Sequence, residues 1–261
     1  MMTSLDLMVD LYAKCERQGP GSKVVTQRAL SLLDLDLKNS LNICDIGCGT
    51  GAQTLVLAEK TKGKITAVDL FPAFLEELEK RAAASAYADR IKTLEASMED
   101  LPFREESFDL IWSEGAVYNM GFEKGVTAWG KLLKAGGYLA VSEISWLSKD
   151  RPNELEGFWK EAYPEIGTVS EKISILENAG YVPLAHFILP TACWTKNYYE
   201  PLEARFDAFL ERHDYSDEAR SLVDSEREEI RLYHKYRDFY SYGFYLAKKR
   251  TNPSSYATHP H

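Results

Sequence analysis

A chain of 261 residues is long enough for one elaborated α/β domain. Its net charge of -9 argues against a nucleic-acid partner, because that binding depends on basic side chains displacing counterions. No apolar run approaches the roughly 20 residues of a membrane-crossing helix, and the start, with Asp6 and Asp10 and no basic residue, lacks the pattern of a secretory leader, so a cytoplasmic protein with no membrane partner is expected.

Leu5, Met8, Val9 and Tyr12 repeat at the spacing of one helical face, which predicts a helix over 4–17. Gly19-Pro20-Gly21-Ser22 stops it, and a second helix is predicted from Val24 to Leu33, so residues 1–35 read as a helical N-terminal segment. Strands then alternate with helices, the pattern of a parallel sheet covered by helices on both faces. The predicted strands are 41–46, 64–70, 90–96, 108–113 and 138–144. Helices are predicted to run to Lys60, from Pro72 to Ala86, and from Glu123 to Leu133, where Gly136-Gly137 closes the last. Beyond the core at 36–145 the pattern loosens into an aromatic-rich stretch, followed by a helix over 170–179 and a sixth strand over 181–189. Residues 190–238, with two helical patterns and many charges, read as a substrate-lid insert before a seventh strand at 240–248. The expected architecture is therefore one Rossmann-like domain over 1–250 on a seven-stranded, mostly parallel sheet. The polar, proline-punctuated tail at 251–261 is expected to be disordered.

Chemistry concentrates at Asp45-Ile46-Gly47-Cys48-Gly49-Thr50-Gly51, between a strand and a helix, where open α/β sheets bind ligands. Glycines there let the backbone turn tightly and approach a ligand closely. Read as Gly47-x-Gly49-x-x-Ala52, the same turn fits a nicotinamide or flavin enzyme. Asp45 tips the balance, since a carboxylate so close is unfavourable for a pyrophosphate but suits the ammonium of S-adenosylmethionine. Asp69, at the end of the second strand, can accept both ribose hydroxyl protons in either class of cofactor, or cap the following helix. Cys44 and Cys48 read as small buried residues, and no metal is expected.

Three further segments follow the turn at fitting intervals: 96–103 (Ala-Ser-Met-Glu-Asp-Leu-Pro-Phe), 107–112 (Ser-Phe-Asp-Leu-Ile-Trp) and 132–139 (Leu-Leu-Lys-Ala-Gly-Gly-Tyr-Leu). With them the chain resembles, over about 41–144, the class I S-adenosylmethionine-dependent methyltransferases, and within these the small-molecule branch that includes the ubiquinone and menaquinone biosynthesis enzymes. The resemblance implies that Asp45 and the turn at Gly47, Gly49 and Gly51 hold the methionine portion. It places the ribose and adenine at Asp69 and Leu70, the adenine edge at Ser97 and Met98, and Ser113 on the cofactor side. Many relatives carry Asp at the position of Ser97, whose hydroxyl can also accept a hydrogen bond, though without charge. It further implies that Tyr12, Gly21 and Ser22 fold over the methionine end of the cofactor, which would make residues 1–35 a helical lid; an ordinary loop between two helices is the alternative.

Strand ends supply the candidate catalytic carboxylates, Glu114 and Glu143, of which Glu114 is the favoured base or acceptor-orienting group, and alternation can instead turn Glu143 toward a helix-covered face. His186, on the sixth strand, is a further candidate base or else a core histidine. Tyr118, Trp146, Trp194 and Tyr198 suit an acceptor pocket, binding a cationic amine through cation–π contact or stacking on a planar phenol or quinone. The expected activity is methyl transfer to an N or O atom of a small metabolite, by a monomer or a homodimer. A nucleotide-dependent oxidoreductase and a catalytically silent cofactor-binding module are the alternatives.

Overall fold

Period-two alternation along the strands decides which side chains meet which helices, and that division positions the site. The computed structural model describes residues 3–251, so the tail expected to be disordered lies, past Thr251, outside the described residues. Two helices lead, α1 (Ser4–Tyr12) and α2 (Lys23–Ser31). The core follows as β1 (Asn42–Ile46), α3 (Ala52–Lys60), β2 (Lys64–Asp69), α4 (Pro72–Ala83), β3 (Ile91–Glu95), β4 (Phe108–Glu114), α5 (Phe122–Gly130) and β5 (Leu133–Trp146). After it come α6 (Asn153–Ala162), β6 (Gly167–Thr168), α7 (Val169–Asn178) and β7 (Tyr181–Ile188). The insert contributes α8 (Thr191–Trp194), a π-helical turn at Thr195–Tyr199, α9 (Glu200–Glu203), α10 (Phe206–Arg212) and α11 (Asp217–Tyr236), and β8 (Tyr240–Lys249) closes the chain.

The sheet order is β3-β2-β1-β4-β5-β8-β7, with β6 paired to β5. Among the described residues only β8 runs antiparallel to its neighbours, β5 and β7. The strand order reverses between β1 and β4, which opens a crevice at their carboxyl ends. On one face Ile43, Leu110, Trp112, Ala140 and Ile144 pack under α1, α2 and α11. On the other, Cys44, Ile46, Ile111, Leu139 and Val141 pack under α5 and α7. The sheet is thus covered on both sides, and the central strands can be apolar on both.

Four details depart from the sequence reading. The sheet has eight strands rather than seven, because two residues of the aromatic-rich stretch, Gly167 and Thr168, pair with Ser145 and Trp146. The first helix ends at Tyr12 instead of reaching Arg17, since Arg81 and Gln18 take the carbonyls of Cys15 and Glu16 and draw the chain onto the glycine turn. Gly136 and Gly137 do not close α5. They lie in β5, where the register jumps between Phe108↔Leu133 and Leu110↔Tyr138 and Gly136 takes a φ of +72°. The insert, read as two helical patterns, holds four helices and a π turn.

Trp194 pins that insert to the sheet. It is 1% exposed, stacks on Tyr233 of α11 at 4.4 Å, and donates from Nε1 to Ser241 Oγ of β8 at 2.9 Å. Large-to-small changes at such sites leave a cavity that the neighbours fill only in part. Trp194→Ala is therefore expected to cost about 3–5 kcal/mol in equilibrium urea unfolding. A loss under 1 kcal/mol would mean that the insert is held some other way.

Candidate active site

At the crevice between β1 and β4 lies a cavity of about 550 Å³. Its floor is the glycine turn. Gly47 and Cys48 both donate their N–H to the Val68 carbonyl, at 2.8 and 2.9 Å, which folds the chain sharply over the end of β2. Gly47 has a φ of +70°, and a Cβ added there would sit 2.3 Å from the Ala116 methyl, so no other residue fits without displacing the loop after β4. A Cβ on Gly49 would meet Gln18 Oε1 at 2.1 Å. Gln18 belongs to the segment between α1 and α2 and accepts from the Thr50 N–H at 2.9 Å while donating to Tyr12 O and Cys15 O. Gln18, Gly19 and Pro20 consequently line the cavity together with Tyr12.

Asp69, at the tip of β2, accepts the Gly49 N–H on Oδ2 at 2.8 Å and the Phe71 N–H on Oδ1 at 3.0 Å. Each oxygen keeps capacity for one more donor, the arrangement a vicinal diol requires. Burial raises its pKa, opposed by those backbone hydrogen bonds. Beside it Leu70, Phe71, Phe74, Ser97 and Met98 line the same cavity, an apolar slot with one hydroxyl for a flat heterocycle. The fit to a cationic sulfonium nucleoside is also electrostatic, since among the described residues the wall carries Asp69, Glu99, Glu114, Glu226 and Glu229 against Arg17 alone.

Glu114 reaches the cavity but is already engaged. Its Oε1 accepts from Thr26 Oγ1 at 2.6 Å and Trp112 Nε1 at 3.0 Å, and its Oε2 accepts from Arg17 Nη1 at 2.9 Å. The side chains of Arg17 and Glu114 are 7% and 4% exposed. A carboxylate so committed to fixed donors is a clamp rather than the base that the sequence suggested. It ties the N-terminal segment to the end of β4.

Other sequence candidates lie elsewhere, mostly through strand alternation. Glu143 follows Leu139 and Val141 toward α7, where its Oε1 accepts from Lys172 Nζ at 3.0 Å in a fully buried pair, and burial raises its pKa. Ser113 likewise follows Ile111 to that face and is sealed from solvent. His186 pairs in register with Tyr245, lies against its ring with the centroids 4.9 Å apart, and has its pKa lowered by burial; half-buried on the edge strand β7, it lies outside the cavity. Trp146 is buried against Tyr240 beneath Arg151, and Trp194 is the core anchor described above. Gly51 caps α3 against Leu78, Gly21 packs on Arg17, and Ser22 caps α2. Asp45 is fully buried behind the turn, accepting from Thr54 Oγ1 at 2.6 Å and Gln53 Nε2 at 3.4 Å. It supports the floor from one layer below, while Gln53 takes the place on the wall that direct ammonium pairing would have required of Asp45. Tyr12, Gly47, Gly49, Asp69, Leu70, Ser97, Met98, Glu114, Tyr118 and Tyr198 are the sequence candidates that the fold brings together on the cavity.

Arg17, Gln18, Glu226 and Glu229 line it too and were missed by sequence reasoning. For the two glutamates a signal existed. Val223, Glu226, Ile230 and Tyr233 follow one another at steps of three and four, so Glu226 occupies an apolar stripe of α11. Arg17 and Gln18 left no such signal, because their partners are 97 and 32 residues away.

An open, mostly parallel sheet, a glycine turn at its switch point and an acid ending the second strand define a Rossmann-like fold with a crevice of the kind that takes nucleoside cofactors. Residues 44–141 match the family model described as a methyltransferase domain. The chain is 34% identical over 106 residues to a ubiquinone/menaquinone biosynthesis C-methyltransferase of Geotalea daltonii, covering 40% of this chain and 45% of that protein. Over 138 residues it is 34% identical to erythromycin 3''-O-methyltransferase of Saccharopolyspora erythraea, covering 51% and 44%. A tRNA1(Val) (adenine(37)-N6)-methyltransferase of Haemophilus influenzae is 30% identical over 115 residues, covering 43% and 48%. The matched region thus spans less than half the length of each. Among solved structures, an S-adenosylmethionine-dependent methyltransferase of Geobacter sulfurreducens in complex with S-adenosyl-L-homocysteine has the same fold, with a TM-score of 0.80 at 14% identity, covering 94% of this chain and 98% of that one. Over residues 44–141 this chain is therefore similar to methyltransferase domains, and its fold is the one seen in that S-adenosylmethionine-dependent methyltransferase.

Two outcomes follow from the buried charges. Arg17→Met leaves Glu114 charged and short of a partner, and is expected to cost about 3–5 kcal/mol in urea unfolding, whereas Arg17→Met combined with Glu114→Leu costs less than the two single changes added together. Strict additivity would refute the clamp. Burial lifts Asp45 to about 7, against an ordinary value near 4 in the unfolded chain. Between those values the folded form holds a proton that the unfolded form has released, so this residue's contribution is present below about pH 4 and is lost as pH rises toward 7. Asp45→Asn is expected to flatten the fall in melting temperature over that interval. Parallel wild-type and variant profiles would show the carboxylate already ionised in the fold.

Proposed function

We propose that the protein transfers the methyl group of S-adenosylmethionine to a nitrogen or oxygen atom of a small metabolite. One observation carries this reading: the glycine turn, Asp69 and the 96–98 segment share one cavity with Tyr118, Tyr198, Glu226 and Glu229. A cofactor-type wall and a second, chemically different wall thus face the same space. The acidic charge of the chain favours a small acceptor over a polynucleotide.

In this reading Asp69 accepts the two ribose hydroxyls, while Leu70, Phe71, Phe74 and Met98 hold the adenine with Ser97 at its edge. The turn at Gly47 and Gly49, with Gln18 above it, encloses the methionine portion. When bound, the cofactor supplies an electrophilic methyl on a positively charged sulfur. The protein's work is then orientation and exclusion of water, and well-aligned reactants gain up to about 7–11 kcal/mol from such pre-arrangement. Glu114 contributes by holding Arg17 and the 17–20 segment closed.

Calorimetry separates this reading from an oxidoreductase sharing the glycine turn. S-adenosyl-L-homocysteine is expected to bind and NADH not to. Asp69→Asn, which replaces one accepting oxygen by a donor, is expected to weaken S-adenosyl-L-homocysteine by about tenfold or more, or about 1.4 kcal/mol. Binding of NADH in place of the nucleoside would overturn the reading.

A further inference from the structure

Where α11 packs over α1, two carboxylates are turned inward. Glu229 accepts from the Tyr199 hydroxyl at 2.9 Å, and Glu226 Oε2 is shut off from solvent without a hydrogen-bond partner among the described residues. Both glutamates line the cavity together with Tyr12, Tyr118 and Tyr198. The Tyr12 and Tyr198 hydroxyls lie 3.1 Å apart and both residues are over nine-tenths buried. One of these hydroxyls donates to the other, so the pair has one proton left for Glu226 or for a guest. Arg17, the only cation on the cavity wall among the described residues, is committed to Glu114, and nearby Arg205 donates to the Leu11 carbonyl.

Two enclosed carboxylates with no cation between them are costly to ionise, and the natural compensation is a positive guest. An anionic guest would be repelled, and a neutral alcohol would satisfy one carboxylate and leave the other charge uncompensated. We infer that Glu226 and Glu229, with Tyr12, Tyr118 and Tyr198, form the acceptor site for a small protonated amine, and that Glu226 takes the proton that frees its nitrogen for methylation. This inference rests on the methyltransferase reading above.

The step balances. The ammonium gives one proton to Glu226, the freed lone pair forms the nitrogen–carbon bond, and the electrons of the broken carbon–sulfur bond remain on sulfur. The products are the methylated amine as a cation, Glu226 in its protonated form and the demethylated cofactor. The setting suits the role: burial, then the neighbouring Glu229, lifts Glu226 to about 7, close to the working range of a general base. The groups facing it are Glu229 on its own helix, Tyr12 and Cys15 from the N-terminal segment, Tyr118 after β4, and Tyr198 from the insert. Each of these is uncharged near neutrality except Glu229, whose pKa burial also raises. Bound cation favours the ionised form of both carboxylates, so amine affinity rises as pH passes upward through about 7 and is weakest below it.

The test is calorimetry on protein saturated with S-adenosyl-L-homocysteine, using amines paired with neutral isosteres: dimethylethanolamine with 3-methylbutan-1-ol, and 2-phenylethylamine with 2-phenylethanol. At least one amine is expected to bind about tenfold or more tightly than its isostere. That preference should strengthen between pH 6 and 8 and fall by about tenfold or more in both Glu226→Gln and Glu229→Gln. Equal binding of amine and isostere, or no binding of any amine, overturns the assignment, as does a preference that survives both substitutions. Binding of S-adenosyl-L-homocysteine is read first in the same samples. Its absence from the wild-type protein overturns the methyltransferase reading itself, whereas its presence without amine preference overturns only the acceptor assignment.

Discussion

The cavity depends on one buried ion pair. Arg17 and Glu114 meet at 2.9 Å at the end of β4, nearly sealed from water, with Thr26 and Trp112 filling the remaining acceptor positions of the carboxylate. Breaking such a pair on one side leaves an uncompensated charge, so the segment from 17 to 26 is held where the pair needs it. Gln18, Gly19 and Pro20 then lie over the glycine turn, and Arg81 and Gln18 fix the preceding carbonyls from the other side. A stretch that would otherwise continue as helix thereby becomes the roof of a binding site.

The sheet imposes a second constraint. Two glutamates end neighbouring strands, yet side chains alternate between faces, and the register sets them apart: Glu114 faces the α1 and α2 side, and Glu143 faces α7. Neither is free as a base, because each is neutralised by its own cation, Arg17 or Lys172. Besides Asp69 of β2, the wall carboxylates not neutralised by a cation among the described residues are Glu226 and Glu229 of α11, which closes the cavity on its other side. The residues matched to the methyltransferase family model, 44–141, include the turn, Asp69 and the 96–98 segment, while Arg17, Tyr198, Glu226 and Glu229 all fall outside them. Family likeness thus bears on the wall built by the turn, Asp69 and the 96–98 segment, and the facing wall belongs to elements outside the matched residues, where one fold accommodates many substrates.

A wall carrying more carboxylates than cations is a cost to the fold, and Glu226, lifted to about 7 by burial and then by the neighbouring Glu229, registers it. Positively charged ligands lessen that cost, so ligand binding and stability are coupled: whatever binds the folded form alone also stabilises it. Buried aromatic contacts such as Trp194 on Tyr233 hold the insert in place against this repulsion.

Sequence alone determined the order of strands and helices in the core, the glycine turn and Asp69, because these are set by local periodicity, turn chemistry and spacing within a few residues. It also marked Tyr12, Tyr118 and Tyr198 without saying what they face. Tertiary structure decided everything that rests on pairing across distance: the extra strand at Gly167, the withdrawal of Asp45, Glu143 and His186 from the cavity, and the arrival of Arg17, Gln18, Glu226 and Glu229 on its wall. The physical reason is that a charged side chain reads the same in sequence whether it meets water or a partner 97 residues away, as Arg17 meets Glu114. Only the register of the sheet and the packing of α11 over α1 distinguish the two.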